Sequence, residues 1–106
     1  MLLLNAFSLN MLPGKSGSLW FREIGVAQVR AELAPTLESA VGHAETAAVF
    51  SDVLGVPVAF DRRSVSLQPG QTVLVGQYSG PRLPEGATAL PEGATIKWLL
   101  VGYSQE

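Results

Sequence analysis

The hydrophobic pattern of residues 1–35 predicts two strands and a short helix. Residues 2–9 form an apolar run that ends among turn-forming residues, which is typical of a buried strand. Residues 18–24 alternate between apolar and polar side chains, the period of a second strand. Residues 26–33 mix apolar and polar side chains as a short helix that Pro35 stops. The N-terminal third is therefore expected to fold as strand, strand and helix.

The middle of the chain predicts one principal helix and a β-hairpin. A brief extended piece at residues 37–41 precedes residues 44–54, which are rich in helix formers and are followed by Gly55 as a C-terminal stop. Alternation resumes over residues 56–67, and the turn formers at Pro69 and Gly70 lead into a second alternating stretch. The two arms of the hairpin are expected at residues 56–67 (56–60 continued by 62–67) and 72–78.

A short repeat precedes the last predicted strand. Residues 83–88 read LPEGAT, and the same six letters return at residues 90–95. The spacing is too short for a solenoid unit, so the repeat indicates an ordered loop before a strand over residues 96–103. The pattern as a whole predicts a single α/β domain spanning residues 1–106, with a mixed β-sheet of about five strands flanked by helices.

The chain carries little charge for a folded domain. Charged residues make up 15% of its 106 residues and hydrophobic ones 47%, whereas globular domains average about 25% charged residues. This balance indicates that a partner covers some apolar surface, and a homodimer is the simplest partner. The apolar N-terminal run is far too short to span a membrane, so no membrane partner is expected.

Missing residue types and motifs exclude several kinds of site. The chain has no cysteine and a single histidine, which excludes a disulfide framework, a thiolate metal site and a cysteine nucleophile. It also lacks phosphate-binding glycine loops and a serine nucleophile elbow, and its acidic residues are scattered. An enzyme built from this sequence is expected to work without a metal or another cofactor. A cytoplasmic location is expected.

The remaining candidates for chemistry are few. His43 directly precedes the principal helix, whose free N–H groups and positive dipole end can bind an anion. Arg82 and Glu85 lie three residues apart on a loop stiffened by proline and glycine, and Arg62 belongs to a small basic cluster. From the residues alone, His43 could equally cap the helix, and a surface loop with a weak ion pair remains the simpler interpretation of Arg82 and Glu85.

Four segments carry motifs that occur together in one known family. Residues 3–12 follow the pattern LxNAFSxNML, which is the most specific of the four. Residues 41–46 are similar to an IGHxST motif at a helix start, Asp61 and Arg62 to an NR dipeptide, and residues 82–86 to an RLEEG segment. With these motifs the chain resembles, over nearly its whole length, the viral and bacterial ring nucleases known as type III anti-CRISPR proteins.

The resemblance implies a specific activity. Proteins of that family cleave cyclic tetra-adenylate, the second messenger of type III CRISPR systems, to linear products with 2′,3′-cyclic phosphate ends, and they need no metal. It implies a mixed α/β homodimer that binds the ring across its two-fold axis, with no duplex nucleic acid partner. It also implies that His43 is the general acid and that Arg82 and Glu85 place the scissile phosphate. The residues it implies for ligand binding are Asn5, Ser8, Asn10, Arg62 and Gln77.

Three departures from the family pattern concern the site. Glu45 stands where the family usually has a serine, and it brings a carboxylate close to an anionic ligand. Gly80 and Pro81 replace a pair that is often polar, and Lys97 is only a nearby counterpart of a family lysine. Two other functions remain open: a non-catalytic protein that sequesters a cyclic oligonucleotide, and a small dimeric interaction protein that binds no nucleotide.

Overall fold

Two long antiparallel strands form the centre of the sheet. The computed structural model describes residues 1–105. The elements, in chain order, are β1 (Leu2–Leu4), a 3₁₀ turn (Leu9–Met11), β2 (Gly17–Ile24), α1 (Val26–Leu33), β3 (Glu38–Ala40), α2 (Ala44–Leu54), β4 (Thr72–Ser79) and β5 (Thr95–Gln105). The strands lie in the order β2-β5-β4-β1-β3. β5 pairs antiparallel with both β2 and β4, whereas β1 runs parallel to β4 and β3. The predicted α/β fold with a mixed five-stranded sheet is confirmed.

Both helices pack on one face of the sheet. A hydrophobic core lies between the helices and the sheet. Strands β1, β4 and β5 contribute side chains to it from the sheet, and α1 and α2 contribute side chains from the helices. The rings of Phe50 and Trp98 lie at its centre, with centroids 4.8 Å apart and planes tilted by 58°. Gly76 lies beneath them, and a Cβ at this position would be 2.5 Å from Trp98 and 2.6 Å from Phe50. Only glycine therefore fits under this aromatic pair.

Loops cover only part of the other face of the sheet. Leu4, Val73 and Tyr103 are buried there beneath side chains of the N-terminal loop and of residues 65–67. The cover does not reach β2, where every residue except Ile24 is exposed. Apolar side chains of β2 therefore remain accessible to solvent in the monomer. No helix among residues 1–105 combines the length and the apolar character needed to cross a membrane.

Several predicted elements are confirmed at close to their predicted bounds. α1 covers residues 26–33 and α2 covers residues 44–54, and the strands predicted at 18–24 and 96–103 form as β2 and β5. Gly55 ends α2 with a φ of 70°, a left-handed conformation that favours glycine. These elements were predictable because their apolar spacing and their stop signals agree.

The first strand is much shorter than predicted. β1 ends at Leu4 and not at residue 9, because Asn5 leaves the sheet and accepts a hydrogen bond from the N–H of Gly42 through Oδ1 at 3.1 Å. Ser8 then caps a 3₁₀ turn, where its Oγ accepts from the N–H of Asn10 at 3.2 Å. Asn5 and Ser8 thus convert the end of the apolar run into a turn.

The predicted hairpin is wrong in its first arm. Residues 56–67 form no strand, and Phe60 makes only an isolated bridge to Val41. β4 cannot pair with this segment because β5 occupies one of its edges and β1 the other. The segment instead packs Val58 into the helix-covered core and then reaches the loop-covered face, where Leu67 is buried and donates its N–H to the carbonyl of Met11 at 2.8 Å.

The LPEGAT repeat forms two turns of the same type. Ala87 N–H donates to the Pro84 carbonyl at 3.0 Å, and Ala94 N–H donates to the Pro91 carbonyl at 3.1 Å. The glycines of the two turns have φ values of 78° and 82°, which a type II turn requires at this position. The predicted ordered loop is therefore confirmed.

Candidate functional site

The turn before α2 presents the single histidine to solvent. His43 is the N-cap residue of α2, and its carbonyl accepts the N–H of Ala47 at 3.0 Å. Its imidazole is exposed and makes no capping hydrogen bond to the helix. The first N–H groups of α2 therefore keep their capacity to bind an anion beside the imidazole.

Two of the predicted ligand-binding residues flank this turn. Oδ1 of Asn5 accepts the N–H of Gly42 at 3.1 Å and so fixes the backbone of that glycine. Arg62 lies beside the same glycine, and a Cβ on Gly42 would be 3.5 Å from Cγ of Arg62 and 4.0 Å from Oδ1 of Asn5. The end of β1 and the segment after α2 thus meet next to His43.

A cavity of about 510 Å³ lies at the start of α2, and we call it the His43 pocket. Its lining residues are His43, Glu45, Thr46, Tyr78, Gly80, Arg82 and Leu83. The loop between β4 and β5 brings Arg82 to the helix start, although His43 and Arg82 are far apart in sequence. An imidazole, a guanidinium and helix N–H groups therefore line one cavity, a combination suited to a phosphate. Glu45 adds a carboxylate to the same cavity.

A second, larger cavity adjoins the His43 pocket on the incompletely covered face of the sheet. This apolar groove measures about 610 Å³. Its lining residues are Asn5, Ala6, Phe7, Leu19, Trp20, Phe21, Thr46, Val75, Gln77, Tyr78, Leu99 and Val101. Thr46 and Tyr78 line both cavities, so the two are neighbours. A ligand with apolar rings and a phosphate can contact both.

Four predicted site residues lie outside the two cavities, and one of them is Arg62, whose side chain lies beside Gly42. Glu85 is exposed in the first LPEGAT turn, and Ser8 and Asn10 belong to the 3₁₀ turn. Arg82 and Glu85 form no ion pair, since the ion pairs within residues 1–105 are those of Arg63. The interpretation of Arg82 and Glu85 as a surface ion pair is therefore not supported.

Sequence reasoning missed Thr46 and Tyr78, which line both cavities. Thr46 lies in the first turn of α2, inside the segment that contains His43, so its position offered a signal. Tyr78 follows Gln77 in β4, and nothing in the sequence around it indicated a role in a site. The pairing of β4 and β5 also sets Lys97 directly across from Gln77, which gives the groove a nearby cation.

Comparison with known proteins finds a family and a solved structure that match most of the chain. The sequence model of the STIV B116-like family matches residues 1–97. The fold is similar to that of B116 of Sulfolobus turreted icosahedral virus, with a TM-score of 0.75 and 25% sequence identity over 95% of this chain and 97% of that one. No curated protein matches the chain. The family match agrees with the resemblance to viral proteins drawn from the motifs.

The contact between Asn5 and Gly42 predicts that two asparagines of one motif differ in their effect on stability. Asn5→Ala leaves the partly buried N–H of Gly42 unpaired and is expected to lower the free energy of unfolding by about 1–2 kcal/mol. Asn10→Ala removes an exposed side chain and is expected to change it by less than about 0.5 kcal/mol. Urea unfolding of both variants measures the difference. Equal losses of unfolding free energy in the two variants would show that Asn5 does not hold the turn before α2.

Proposed function

The chain belongs to the STIV B116-like family, and we propose that it is a metal-independent ring nuclease that cleaves cyclic tetra-adenylate and so silences type III CRISPR signalling. The observation that carries this proposal is the His43 pocket, which combines a proton donor, a guanidinium and a helix start. These are the groups that phosphodiester cleavage requires in the absence of a metal. The similarity to a viral protein supports a role in a virus.

The proposed reaction is an internal transesterification. The 2′-oxygen of one adenylate attacks the adjacent phosphorus in line, a new P–O bond forms, and the bond to the 5′-oxygen breaks. The products are a 2′,3′-cyclic phosphate and a 5′-hydroxyl. The 2′-hydroxyl gives its proton to a base, and the departing 5′-oxygen takes one from an acid. An imidazole exchanges protons near neutral pH, so His43 is assigned as that acid.

The charge that develops on the phosphate needs fixed donors. Arg82 offers two parallel N–H groups, and the start of α2 offers backbone N–H groups and a positive dipole end. Preorganised donors of this kind are usually the largest contribution to catalysis. We assign Glu85, on the same loop, one of two roles: it orients the 2′-hydroxyl, or it orients the His43 imidazole.

The apolar groove supports binding of the adenine bases. Aromatic side chains such as Phe7 and Phe21 line it, and bases stack on such surfaces. The amides of Asn5 and Gln77 lie along the same groove and can donate and accept hydrogen bonds. In the proposed assembly, a second copy of the chain closes the open side of the groove and encloses the ring.

The dimer is supported by the apolar surface around β2. Leu9, Leu19 and Phe21 are 71%, 42% and 73% exposed, and the last two line the groove. Large apolar side chains gathered on one surface mark an interaction site. A self-complementary contact across a two-fold axis would bury this surface and place two grooves face to face.

The first prediction from the proposed function tests the role of His43 as the acid. Incubation with cyclic tri-, tetra- and hexa-adenylate in the presence of a chelator is expected to yield linear products with 2′,3′-cyclic phosphate ends from the tetra-adenylate. His43→Ala should slow cleavage by about 10²-fold or more, because the general acid is lost. Ring binding should persist, because Arg82 and the helix start remain. The melting temperature of the same sample shows that the variant is folded.

Other outcomes identify the alternative functions. Binding without cleavage by the unaltered protein would indicate a protein that sequesters the ring. No binding by calorimetry would indicate an interaction protein. Loss of cleavage on chelation, restored by Mg²⁺ or Mn²⁺, would contradict the metal-free mechanism. A folded His43→Ala variant that cleaves at the normal rate would remove His43 from it.

The second prediction uses the repeat as an internal control for Glu85. Glu85 and Glu92 occupy equivalent positions in the two LPEGAT turns, so the two substitutions have the same local context. Glu85→Gln is expected to lower the cleavage rate by about tenfold or more, since a catalytic group is lost. Glu92→Gln should leave the cleavage rate within about twofold, because Glu92 is exposed and lines neither cavity. Equal rates in the two variants would exclude a catalytic carboxylate at Glu85.

The third prediction concerns the dimer. Phe21→Glu introduces a charge into the proposed interface and should shift the protein toward monomer, since a buried unpaired charge is costly. Phe60→Glu is the control: Phe60 is 56% exposed but lies beside β3, at the opposite edge of the sheet. It should leave the dimer intact. Sedimentation at micromolar concentration measures both, and an unaltered protein that sediments as a monomer would contradict the dimer.

A further inference from the structure

The loop that carries Arg82 is tied to the rest of the protein at few points. The pairing of β4 with β5 ends at Ser79 and Thr95. Beyond that point, one hydrogen bond within the described chain links residues 80–86 to the sheet: the hydroxyl of Tyr78 donates to the carbonyl of Pro81 at 2.5 Å. The carbonyl that accepts it directly precedes Arg82. The position of Arg82 therefore depends on this contact.

The backbone around Pro81 adds to the constraint. Gly80 has a φ of 153°, and a Cβ at this position would be 2.7 Å from Cβ of Ala94 and 3.0 Å from the hydroxyl of Tyr78. The chain at Gly80 therefore passes close to Ala94 and to the hydroxyl of Tyr78. The φ angle of Pro81 is fixed by its own ring. The close contacts at Gly80 and the fixed φ of Pro81 thus restrict the backbone that leads to Arg82.

Tyr78 also lies where the two cavities meet, since it lines the apolar groove and the His43 pocket. We infer that Tyr78 is a positioning residue, which holds the loop through the Pro81 carbonyl so that the Arg82 guanidinium faces the phosphate in the His43 pocket. This inference rests on the proposed nuclease activity. It assigns to the Tyr78 hydroxyl a role that acts through Arg82 and not on the reacting atoms.

A hydroxyl that acts in this way affects the rate more than the affinity. Arg82 contributes most where negative charge develops on the phosphate, and small displacements of such a donor are costly in the transition state. The apolar groove and the helix start continue to bind the ring. Loss of the Tyr78 hydroxyl should therefore lower kcat while KM changes little.

The test compares the two tyrosines of the chain. Tyr78→Phe removes only the hydroxyl, and we expect kcat to fall about tenfold with KM within about twofold. Tyr103→Phe is the matched control: Tyr103 is 3% exposed, and its hydroxyl has no hydrogen-bond partner among the described residues. Its removal should leave both constants unchanged. A Tyr78→Phe variant with the kcat of the Tyr103→Phe variant would overturn the inference.

A double-mutant cycle separates positioning of Arg82 from a general structural effect. If Tyr78 acts through Arg82, Tyr78→Phe should have no further effect on kcat in an Arg82→Ala background. An equal tenfold loss in both backgrounds would overturn the inference, because the hydroxyl would then act elsewhere. Melting temperatures of the four proteins show whether each is folded.

Hydrogen exchange keeps this test separate from the nuclease proposal. In the protein without ligand, Tyr78→Phe should increase the exchange of the Ala87 backbone amide, which donates to the Pro84 carbonyl within this loop, several-fold, because the loop opens more often. Tyr103→Phe should not. If the unaltered protein does not cleave the ring, the nuclease proposal fails, and faster exchange at the loop still supports the anchoring role. Unchanged exchange would overturn that role whatever the activity.

Discussion

The antiparallel pairing of β4 with β5 is the interaction on which the rest of the structure depends. Eight residue pairs connect the two strands from Thr72 to Ser79. β5 also carries β2 on its other edge, and β4 carries β1, so every strand except β3 is attached directly to this pair. The same pairing decides where the connecting loop emerges. Because it ends at Ser79 and Thr95, the loop leaves the sheet beside the start of α2 and brings Arg82 to His43.

The fold was predictable where local signals and the tertiary structure agree. α1 and α2 have apolar spacing and clear stops at Pro35 and Gly55, and both form as expected. Residues 56–67 show how the prediction fails: they alternate like a strand, but the two edges of β4 are already occupied. Pairing partners are settled by the whole sheet, so alternation alone cannot identify them.

The individual segments of the candidate site were predictable from the sequence, but their arrangement was not. The position of His43 before a helix was visible in the sequence, as was the combination of arginine with a stiff loop at Arg82. Their presence in one cavity was not visible, because it depends on the connection between β4 and β5. Tyr78 illustrates the same limit. Its hydrogen bond to Pro81 spans only three residues, yet its importance comes from the pocket that it borders.

The LPEGAT repeat shows that local sequence does not fix the role of a residue. The two copies have the same residues and the same turn conformation. The first copy follows Arg82 directly and continues a lining segment of the His43 pocket, whereas the second leads into β5 and packs Ala94 against Gly80. One copy therefore extends the candidate site and the other supports the start of the loop that carries it. In the proposed mechanism, the role of Glu85 follows from the position of the first turn in the fold and not from the turn itself.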